Sequence, residues 1–203
     1  IPTNVDLASE YRYRNPITNE KTLTIIISQS GETADTLAAL KEAKRLGSHT
    51  LSIVNVVGSS IANASDDVIY TWAGPEIAVA TTKGYTTQLS VLYMIAVWAA
   101  RLLKTSDPDR VEKVFDDLLR LPELIEKVLL EEPKIKELAS HCGDPKSLFF
   151  IGRNIDYAVS LEASLKLKEI SYIHSEAYAA GELKHGTISL IEEGRTVIAL
   201  ACY

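Results

Sequence analysis

Cysteine and positive charge are scarce in this sequence, and each scarcity removes a class of protein. The 203 residues include two cysteines, Cys142 and Cys202, which are far apart and form no CxxC or Cys/His ligand spacing. This usage predicts a reducing, cytoplasmic setting and argues against a structural zinc site. The formal net charge of −6 argues against a nucleic-acid surface, which needs a basic stripe. An anionic ligand would therefore have to be held by local donors.

The sequence also lacks a signal peptide and a clear membrane-spanning run. The longest apolar run, residues 89–100, is shorter than a span of roughly 20 residues and contains Ser90. We therefore predict a buried helix here and no membrane partner. The chain begins with Ile1 instead of methionine and ends within a strand-like run, so we expect a fragment of a longer protein.

The order of the predicted elements indicates the fold class. With 46% hydrophobic and 24% charged residues, the composition is ordinary for a globular protein. A β-branched run leads into a polar turn and a helical pattern that Gly47 ends, and two more apolar runs follow. The predicted strands are 21–28, 49–57 and 67–72, with helices at 34–46 and 61–64. This alternation predicts an α/β fold in which helices flank parallel sheets.

The second half of the sequence repeats this plan after a helical region. A long buried helix is predicted first, and Pro122 and Pro133 interrupt the amphipathic helices that follow it. These helices are predicted at 81–104, 111–121 and 124–142, and further strands at 147–152 and 196–201. We expect a first domain over residues 1–105, connecting helices over 106–145 and a second domain over 146–203.

The turn Ser28-Gln29-Ser30-Gly31-Glu32-Thr33 is the first candidate site. It lies where a parallel strand passes into a helix, the position at which open α/β sheets bind ligands. The helix start offers free N–H groups, and three hydroxyls add donors for phosphate oxygens. Helix capping alone would also favour Ser and Thr here. The turn matches neither GxxxxGK[ST] nor GxGxxG, which argues against nucleotide hydrolysis and dinucleotide binding.

A second hydroxyl-rich segment, residues 80–88, opens the long helix. Its threonines suit helix capping and ligand binding equally well. Glu76, in the preceding turn, faces either a ligand or solvent on this reading.

The segment LEASLKLKEISYIHSEAYAAGELKHG, residues 161–186, is the second candidate site. A helix from about Tyr157 would place Glu162, Lys166 and Glu169 on one face, beside an apolar stripe expected to face a core. That stripe consists of Ala158, Leu161 and Leu165. His185 follows on a bend between glycines. A carboxylate and a histidine in a cleft can move protons on a sugar, although Glu/Lys pairs at this spacing are more often solvated.

These motifs together resemble one family. The segments SQSGET, AGPEIAVATTKGYTTQ and LEASLKLKEISYIHSEAYAAGELKHG are similar to the isomerase part of glutamine–fructose-6-phosphate aminotransferases (glucosamine-6-phosphate synthases), which contains two sugar isomerase (SIS) domains. SQSGET alone indicates only a SIS domain, whereas KLKEISYIHSEAYAAGELKHG is far more specific. The resemblance implies two flavodoxin-like SIS units joined by connecting helices, the first unit incomplete.

The resemblance also implies roles for individual residues. Glu169 would be the base that moves a proton between C1 and C2 of the sugar, with Lys166 nearby. His185 would assist ring opening of the fructose, in the site of the neighbouring subunit of a homodimer. The implied substrate contacts are Ser28, Gln29, Ser30 and Thr33 for the phosphate, and Val79 (through its backbone), Thr81 and Glu162 for the sugar. The family commonly has Ser in place of Thr81.

The implied activity requires no metal and no other cofactor. The resemblance implies the phosphosugars fructose 6-phosphate and glucosamine 6-phosphate as ligands and, in the full-length enzyme, a glutaminase domain. That domain, a further phosphate-contacting serine and the lysine that forms a Schiff base are missing from the sequence, so we expect the chain to be inactive alone. The alternatives are a noncatalytic phosphosugar-binding SIS module and a SIS isomerase or deaminase for another phosphosugar.

Overall fold

The computed structural model describes residues 1–143 and 145–202, which form two compact units. The first unit comprises residues 1–77 and 81–119, and the second comprises residues 78–80 and the chain from Arg120 onward. Each unit contains a three-stranded sheet in which all strand pairs are parallel. The predicted α/β class with parallel sheets is confirmed. The domain limits at 105 and 145 stay predictions.

The sheet of the first unit has the strand order β1-β2-β3. In its register Leu23 lies opposite His49, and Leu51 lies opposite Asp67. The strands are β1 (Leu23–Ser28), β2 (His49–Val54) and β3 (Asp67–Tyr70), and the helices are α1 (Ala8–Tyr11), α2 (Ala34–Arg45), α3 (Ser60–Ala64), α4 (Lys83–Leu103) and α5 (Pro108–Leu119). The βαβ connections bring the carboxyl ends of the strands to one edge of the sheet.

The core of the first unit lies between the sheet and the helices α2 and α3. Its buried members are Ile26, Leu40, Val54, Ile61 and Ala62. The helix α2 ends in a Schellman motif, since the N–H groups at positions 47 and 48 donate to the carbonyls at positions 44 and 43, both at 3.0 Å. Position 47 is a glycine with φ of +88°, as the sequence predicted.

The sheet of the second unit has the order β5-β4-β6. Its strands are β4 (Ser147–Gly152), β5 (His174–Ala179) and β6 (Thr196–Ala199), and its helices are α6 (Leu121–Leu129), α7 (Glu132–His141) and α8 (Ile155–Ser171). Pro122 and Pro133 lie in the first turns of α6 and α7, where no intrahelical N–H bond is lost. The strand β5 was not predicted from the sequence, because its residues HSEAYA are mostly polar or small.

The burial predicted for the long helix α4 is wrong. Of its residues only Gly84, Val91 and Val97 are buried, whereas Trp98 is 64% exposed. The helix is apolar around much of its circumference, but the neighbouring α5 covers only part of it. Near that contact, Arg101 donates to Glu112 at 2.7 Å.

The same helix meets the length and composition criteria for a membrane span. It has 21 residues, and its most apolar stretch of 18 residues has a mean hydropathy of 1.3. Only 11% of that stretch is buried. Core helices of soluble proteins meet these criteria too. The expectation that the chain has no membrane partner stays a prediction.

The buried face of α8 also differs from the expected one. The apolar residues Leu161 and Leu165 are 48% and 44% exposed, and Ala158 is exposed as well. The buried face carries Asp156, Ser160 and Ser164. The reason is the close approach of α8 to β4 and β5, which leaves room only for small side chains along most of the contact.

Asp66 directly precedes β3 in the first unit and accepts hydrogen bonds from β2. Its carboxylate accepts hydrogen bonds from the Lys44 ammonium at 2.7 Å, from the Thr50 hydroxyl at 2.7 Å and from the Thr50 N–H at 2.8 Å. The bond from Lys44, followed by those from Thr50, holds the pKa of Asp66 well below its ordinary value of 3.8.

We predict that Asp66→Asn lowers the melting temperature at about pH 7, because the amide loses the ion pair and half of the acceptor capacity. Since the folded-state pKa is the lower one, these bonds contribute stability above about pH 3.8 and lose it as the pH falls towards the folded-state pKa. Thermal melts across this range should therefore show the difference from wild type shrinking in acid. Asp67→Asn is the matched control, because among the described residues the Asp67 carboxylate pairs only with the exposed His49. An equal loss in both variants would contradict the role of Asp66.

Candidate functional site

The turn between β1 and α2 brings the predicted phosphate-binding residues together. Ser28 ends β1 and is 7% exposed, and its Oγ accepts the N–H of Gly31 at 3.1 Å. The hydroxyl oxygens of Ser28 and Thr33 lie 3.4 Å apart. The Ser30 Oγ accepts the N–H of Glu32 at 3.2 Å. Three of the predicted hydroxyls therefore line one tight turn, and Gln29 lies partly buried within it.

The start of α2 keeps donors available beside these hydroxyls. Thr33 is the N-cap residue, but its side chain makes no capping hydrogen bond. The first N–H groups of a helix have no intrahelical partner, and the helix dipole adds partial positive charge there. The turn can thus offer hydroxyl and N–H donors to one anion, which is the chemistry expected from the sequence.

The conformation of this turn depends on Gly31. Its φ is +68°, and a Cβ at this position would lie 2.1 Å from Ser59 Oγ and 2.5 Å from Ser59 Cβ. Ser59 is 2% exposed, and its Oγ has no hydrogen-bond partner among the described residues. Position 31 therefore requires glycine for two separate reasons, backbone conformation and space.

The second hydroxyl-rich segment binds a carboxylate of the chain itself. Thr81 Oγ1 donates to Glu76 Oε2 at 2.7 Å. This bond, together with contributions from the N–H of Gly84, the charge of Lys83 and the N–H of Thr82, lowers the pKa of Glu76 despite some desolvation. Glu76 thus supplies a negative charge at the start of α4, whereas the N-cap residue Thr82 makes no capping hydrogen bond through its side chain. The choice between capping and ligand binding stays open.

The substrate contact predicted for the backbone of Val79 stays a prediction. Val79 is 97% exposed and lies in the short segment that belongs to the second unit. Thr81 belongs to the first unit, where its hydroxyl proton is already donated to Glu76. Toward a ligand, this hydroxyl can therefore act only as an acceptor.

The helix α8 brings Glu162, Lys166 and Glu169 together as the sequence predicted. The Lys166 ammonium lies 2.5 Å from Glu169 Oε2 and 3.5 Å from Glu162 Oε1. The side chain of Lys166 is 18% exposed, so the group is not a fully solvated surface pair. Desolvation lowers the pKa of Lys166, but the bond to Glu169 and the charges of Glu162 and Glu169 together raise it more, which keeps the lysine protonated.

The position of α8 depends on Gly152, which the sequence analysis did not single out. A Cβ at Gly152 would lie 2.4 Å from the carbonyl carbon and oxygen of Asp156. Ser175 on β5 donates to the Ser164 carbonyl at 2.8 Å, so the middle of α8 is also held against the sheet. A glycine at the end of a strand that precedes a helix was the available sequence signal.

His185 lies where the sequence predicted, in the turns that follow β5. It is exposed, its N–H donates to the Glu182 carbonyl at 2.9 Å, and its imidazole has no partner among the described residues. Among the described residues, no hydrogen bond or ion pair joins His185 to Glu169. Over residues 1–143 and 145–202, no group of three or more His, Cys, Asp or Glu side chains is placed to hold a metal ion.

Comparison with protein families and known proteins agrees with these motifs. The family model described as "SIS domain" matches residues 1–98 and 143–202. The chain is 58% identical over 200 residues to glutamine–fructose-6-phosphate aminotransferase [isomerizing] of Clostridium acetobutylicum, and 60% identical over 201 residues to the same enzyme of Caldanaerobacter subterraneus subsp. tengcongensis. These matches cover 98% and 99% of the chain. The chain spans about a third of the length of these relatives, 33% in each case.

Solved structures show the same similarity. The C-terminal domain of glucosamine-fructose-6-phosphate aminotransferase from Francisella tularensis superposes with a TM-score of 0.93 at 38% identity, covering 98% of this chain and 56% of that one. A structure described as a phosphosugar isomerase from Clostridium difficile matches with a TM-score of 0.82 at 26% identity, covering 91% and 53%. The resemblance inferred from the sequence motifs is therefore confirmed.

The crowding around Gly31 yields a stability prediction. We expect Gly31→Ala to cost about 1–2 kcal/mol for the left-handed backbone and a further ~1–3 kcal/mol for the overlap with Ser59. Gly58→Ala is the matched control, because φ is +74° there and no atom lies within 4 Å of the added Cβ. Urea denaturation should show the larger loss at position 31, and equal losses would contradict the packing role of Ser59.

Proposed function

The chain belongs to the SIS-domain family, and from this premise we propose that it is the isomerase portion of a glutamine–fructose-6-phosphate aminotransferase. The observation that carries the proposal is the hydroxyl-lined turn at the end of β1, in a chain 58–60% identical to aminotransferases of that name. Its ligands would be fructose 6-phosphate and glucosamine 6-phosphate, and its setting the cytoplasm. The full-length protein would also carry a glutaminase domain.

In this proposal the turn binds the phosphate of the sugar. The hydroxyls of Ser28, Ser30 and Thr33 and the first N–H groups of α2 would donate to the phosphate oxygens, and Gln29 would add an amide. These donors compensate for the overall negative charge of the chain. Binding energy from the phosphate would orient C1 and C2 of the sugar without taking part in the chemistry.

Glu169 would then move the proton between C1 and C2. Lys166 bonds Glu169 at Oε2, and Oε1 accepts no hydrogen bond among the described residues, so this oxygen is available to a substrate proton. A protonated lysine beside the base would also stabilise negative charge that develops on an enediolate. Glu162 bonds the same ammonium and would contact the sugar beside it.

His185 would assist opening of the fructose ring as an acid or base. Its imidazole is exposed and has no hydrogen-bond partner among the described residues, so it is available to act in the site of a neighbouring subunit. The proposed assembly is a homodimer. Val79 and Thr81 would line the sugar, with Thr81 accepting a hydrogen bond from a sugar hydroxyl. In this proposal, the use of glutamine belongs to the glutaminase domain of the full-length protein.

The first test replaces the proposed base. In the full-length protein, Glu169→Gln should reduce isomerisation by roughly a thousandfold, because general base catalysis contributes factors of this order. The affinity for fructose 6-phosphate should stay nearly unchanged, because the amide keeps an oxygen that accepts from Lys166. Turnover is measured by isomerisation assays and affinity by calorimetry.

The matched control for this test is Glu193→Gln, an exposed carboxylate without a hydrogen bond or ion pair among the described residues. It should leave turnover intact. Turnover that survives Glu169→Gln would refute the base assignment and favour a noncatalytic phosphosugar-binding module.

The second test removes two donors of the turn. Ser30→Ala with Thr33→Val should weaken fructose 6-phosphate binding on the order of 100-fold, since each hydrogen bond to a charged group contributes about 1.5–3 kcal/mol. Binding of unphosphorylated fructose should not change. Calorimetric titration with fructose 6-phosphate, glucose 6-phosphate and both free sugars provides the comparison.

Thr105→Val with Ser106→Ala makes the same chemical changes at exposed positions outside the turn and serves as the control. Unchanged affinity in the double variant of the turn would remove the phosphate site from the proposal.

A further inference from the structure

An acidic residue within the proposed phosphate-binding turn requires an explanation. Glu32 directly precedes the N-cap Thr33, close to where the phosphate would bind. A free carboxylate there would repel the dianion, because like charges a few ångströms apart oppose each other even in partly aqueous surroundings. The side chain must therefore either weaken binding or be held away from the anion.

The structure shows where this carboxylate goes. Glu32 Oε1 accepts the N–H of Ser60 at 2.8 Å, and Glu32 Oε2 accepts the Ser60 hydroxyl at 2.6 Å. Both oxygens of the carboxylate are thus bound to the first residue of α3. The side-chain bond from Ser60, followed by the backbone bond, lowers the pKa of Glu32, so the group stays ionised in this arrangement.

The segment 55–61, which contains Ser60, also binds the backbone of the turn. The N–H of Ile61 donates to the Gly31 carbonyl at 2.9 Å, and the N–H of Asn55 donates to the Gln29 carbonyl at 3.1 Å. Gly31 itself lies against Ser59, without space for a Cβ. Glu32 adds two charge-assisted hydrogen bonds to Ser60. Glu32 is the neighbour of Gly31, whose left-handed backbone conformation shapes the turn.

We propose that Glu32 is a positioning residue of the anion-binding turn, acting through Ser60 to fix residues 28–33 for the phosphate while directing its own charge away from the anion. This inference rests on the proposed function, because it assumes that the turn binds a phosphosugar. It assigns Glu32 no contact with the substrate. The role requires two hydrogen bonds to Ser60 at the reach of a glutamate side chain, and a negative charge is not itself required.

This distinction can be tested with three variants of the full-length protein. Glu32→Ala removes both acceptors and should raise the dissociation constant and the KM for fructose 6-phosphate about tenfold, with kcat nearly unchanged. Glu32→Gln should bind within about twofold of wild type, because the amide oxygen still accepts from Ser60 and the amide nitrogen can donate to the Ser60 hydroxyl. Ser60→Ala keeps the backbone bond and should have a smaller effect, about threefold.

A double variant tests whether Glu32 acts through Ser60. Glu32→Ala with Ser60→Ala should bind as Glu32→Ala does, because the second substitution removes a group that has already lost its partner. Glu20→Ala, an exposed carboxylate with no side-chain bond among the described residues, controls for the change in net charge and should bind as wild type does. Thermal melts of each variant measure stability separately from affinity.

Several outcomes would overturn the inference. Tighter binding by Glu32→Ala would show that the charge opposes the phosphate, and unchanged binding would show that the contact with Ser60 does not position the turn. Equal weakening by Glu32→Gln and Glu32→Ala would assign the effect to charge. A wild-type protein that does not bind fructose 6-phosphate would overturn the proposed function and this inference together, whereas normal wild-type binding with unaffected variants overturns this inference alone.

Discussion

The close contact between Gly31 and Ser59 is the constraint on which the candidate anion site depends. The turn after β1 must reverse direction within a few residues to start α2, and the left-handed φ of Gly31 makes this reversal possible. Contact with Ser59 then fixes the turn against the segment that follows β2. As a result Ser28 and Thr33, which are separated along the chain, bring their hydroxyls to the same place. Any residue larger than glycine would disturb the backbone and this contact at once.

In the second unit a glycine also permits a close approach, here between a strand and the helix that follows it. Gly152 ends β4, and its missing side chain lets the backbone of Asp156 approach the strand. The helix α8 therefore packs through Ser160 and Ser164 instead of through its leucines. Because Ser160 and Ser164 face the sheet, Lys166 and Glu169 lie on a different face of α8, and the lysine side chain is still largely covered. In both units a glycine at or shortly after the end of a parallel strand determines how candidate site residues are placed, in the turn itself for the first unit and on α8 for the second.

The wrong burial predictions for α4 and α8 have one physical cause. Periodicity shows which side chains share a face, and it correctly grouped Glu162, Lys166 and Glu169. It does not show how close the neighbouring element lies. For α8 the approach is so close that small polar residues form the buried face, and for α4 the neighbouring helix covers only part of an apolar surface. The strand β5 was missed because its polar residues carry no apolar alternation.

The sequence by itself determined the order of most strands and helices, the parallel α/β class, the family and the composition of the two candidate sites. These properties follow from local patterns and from motifs that are contiguous in the chain. Only the tertiary structure decided where charged groups find partners. Glu32 binds Ser60 and Glu76 binds Thr81, so two acidic residues near proposed substrate contacts are held by the chain itself. The pairing of Glu32 with Ser60 depends on how strands bring separate loops to one edge of a sheet, and no local pattern contains that distance.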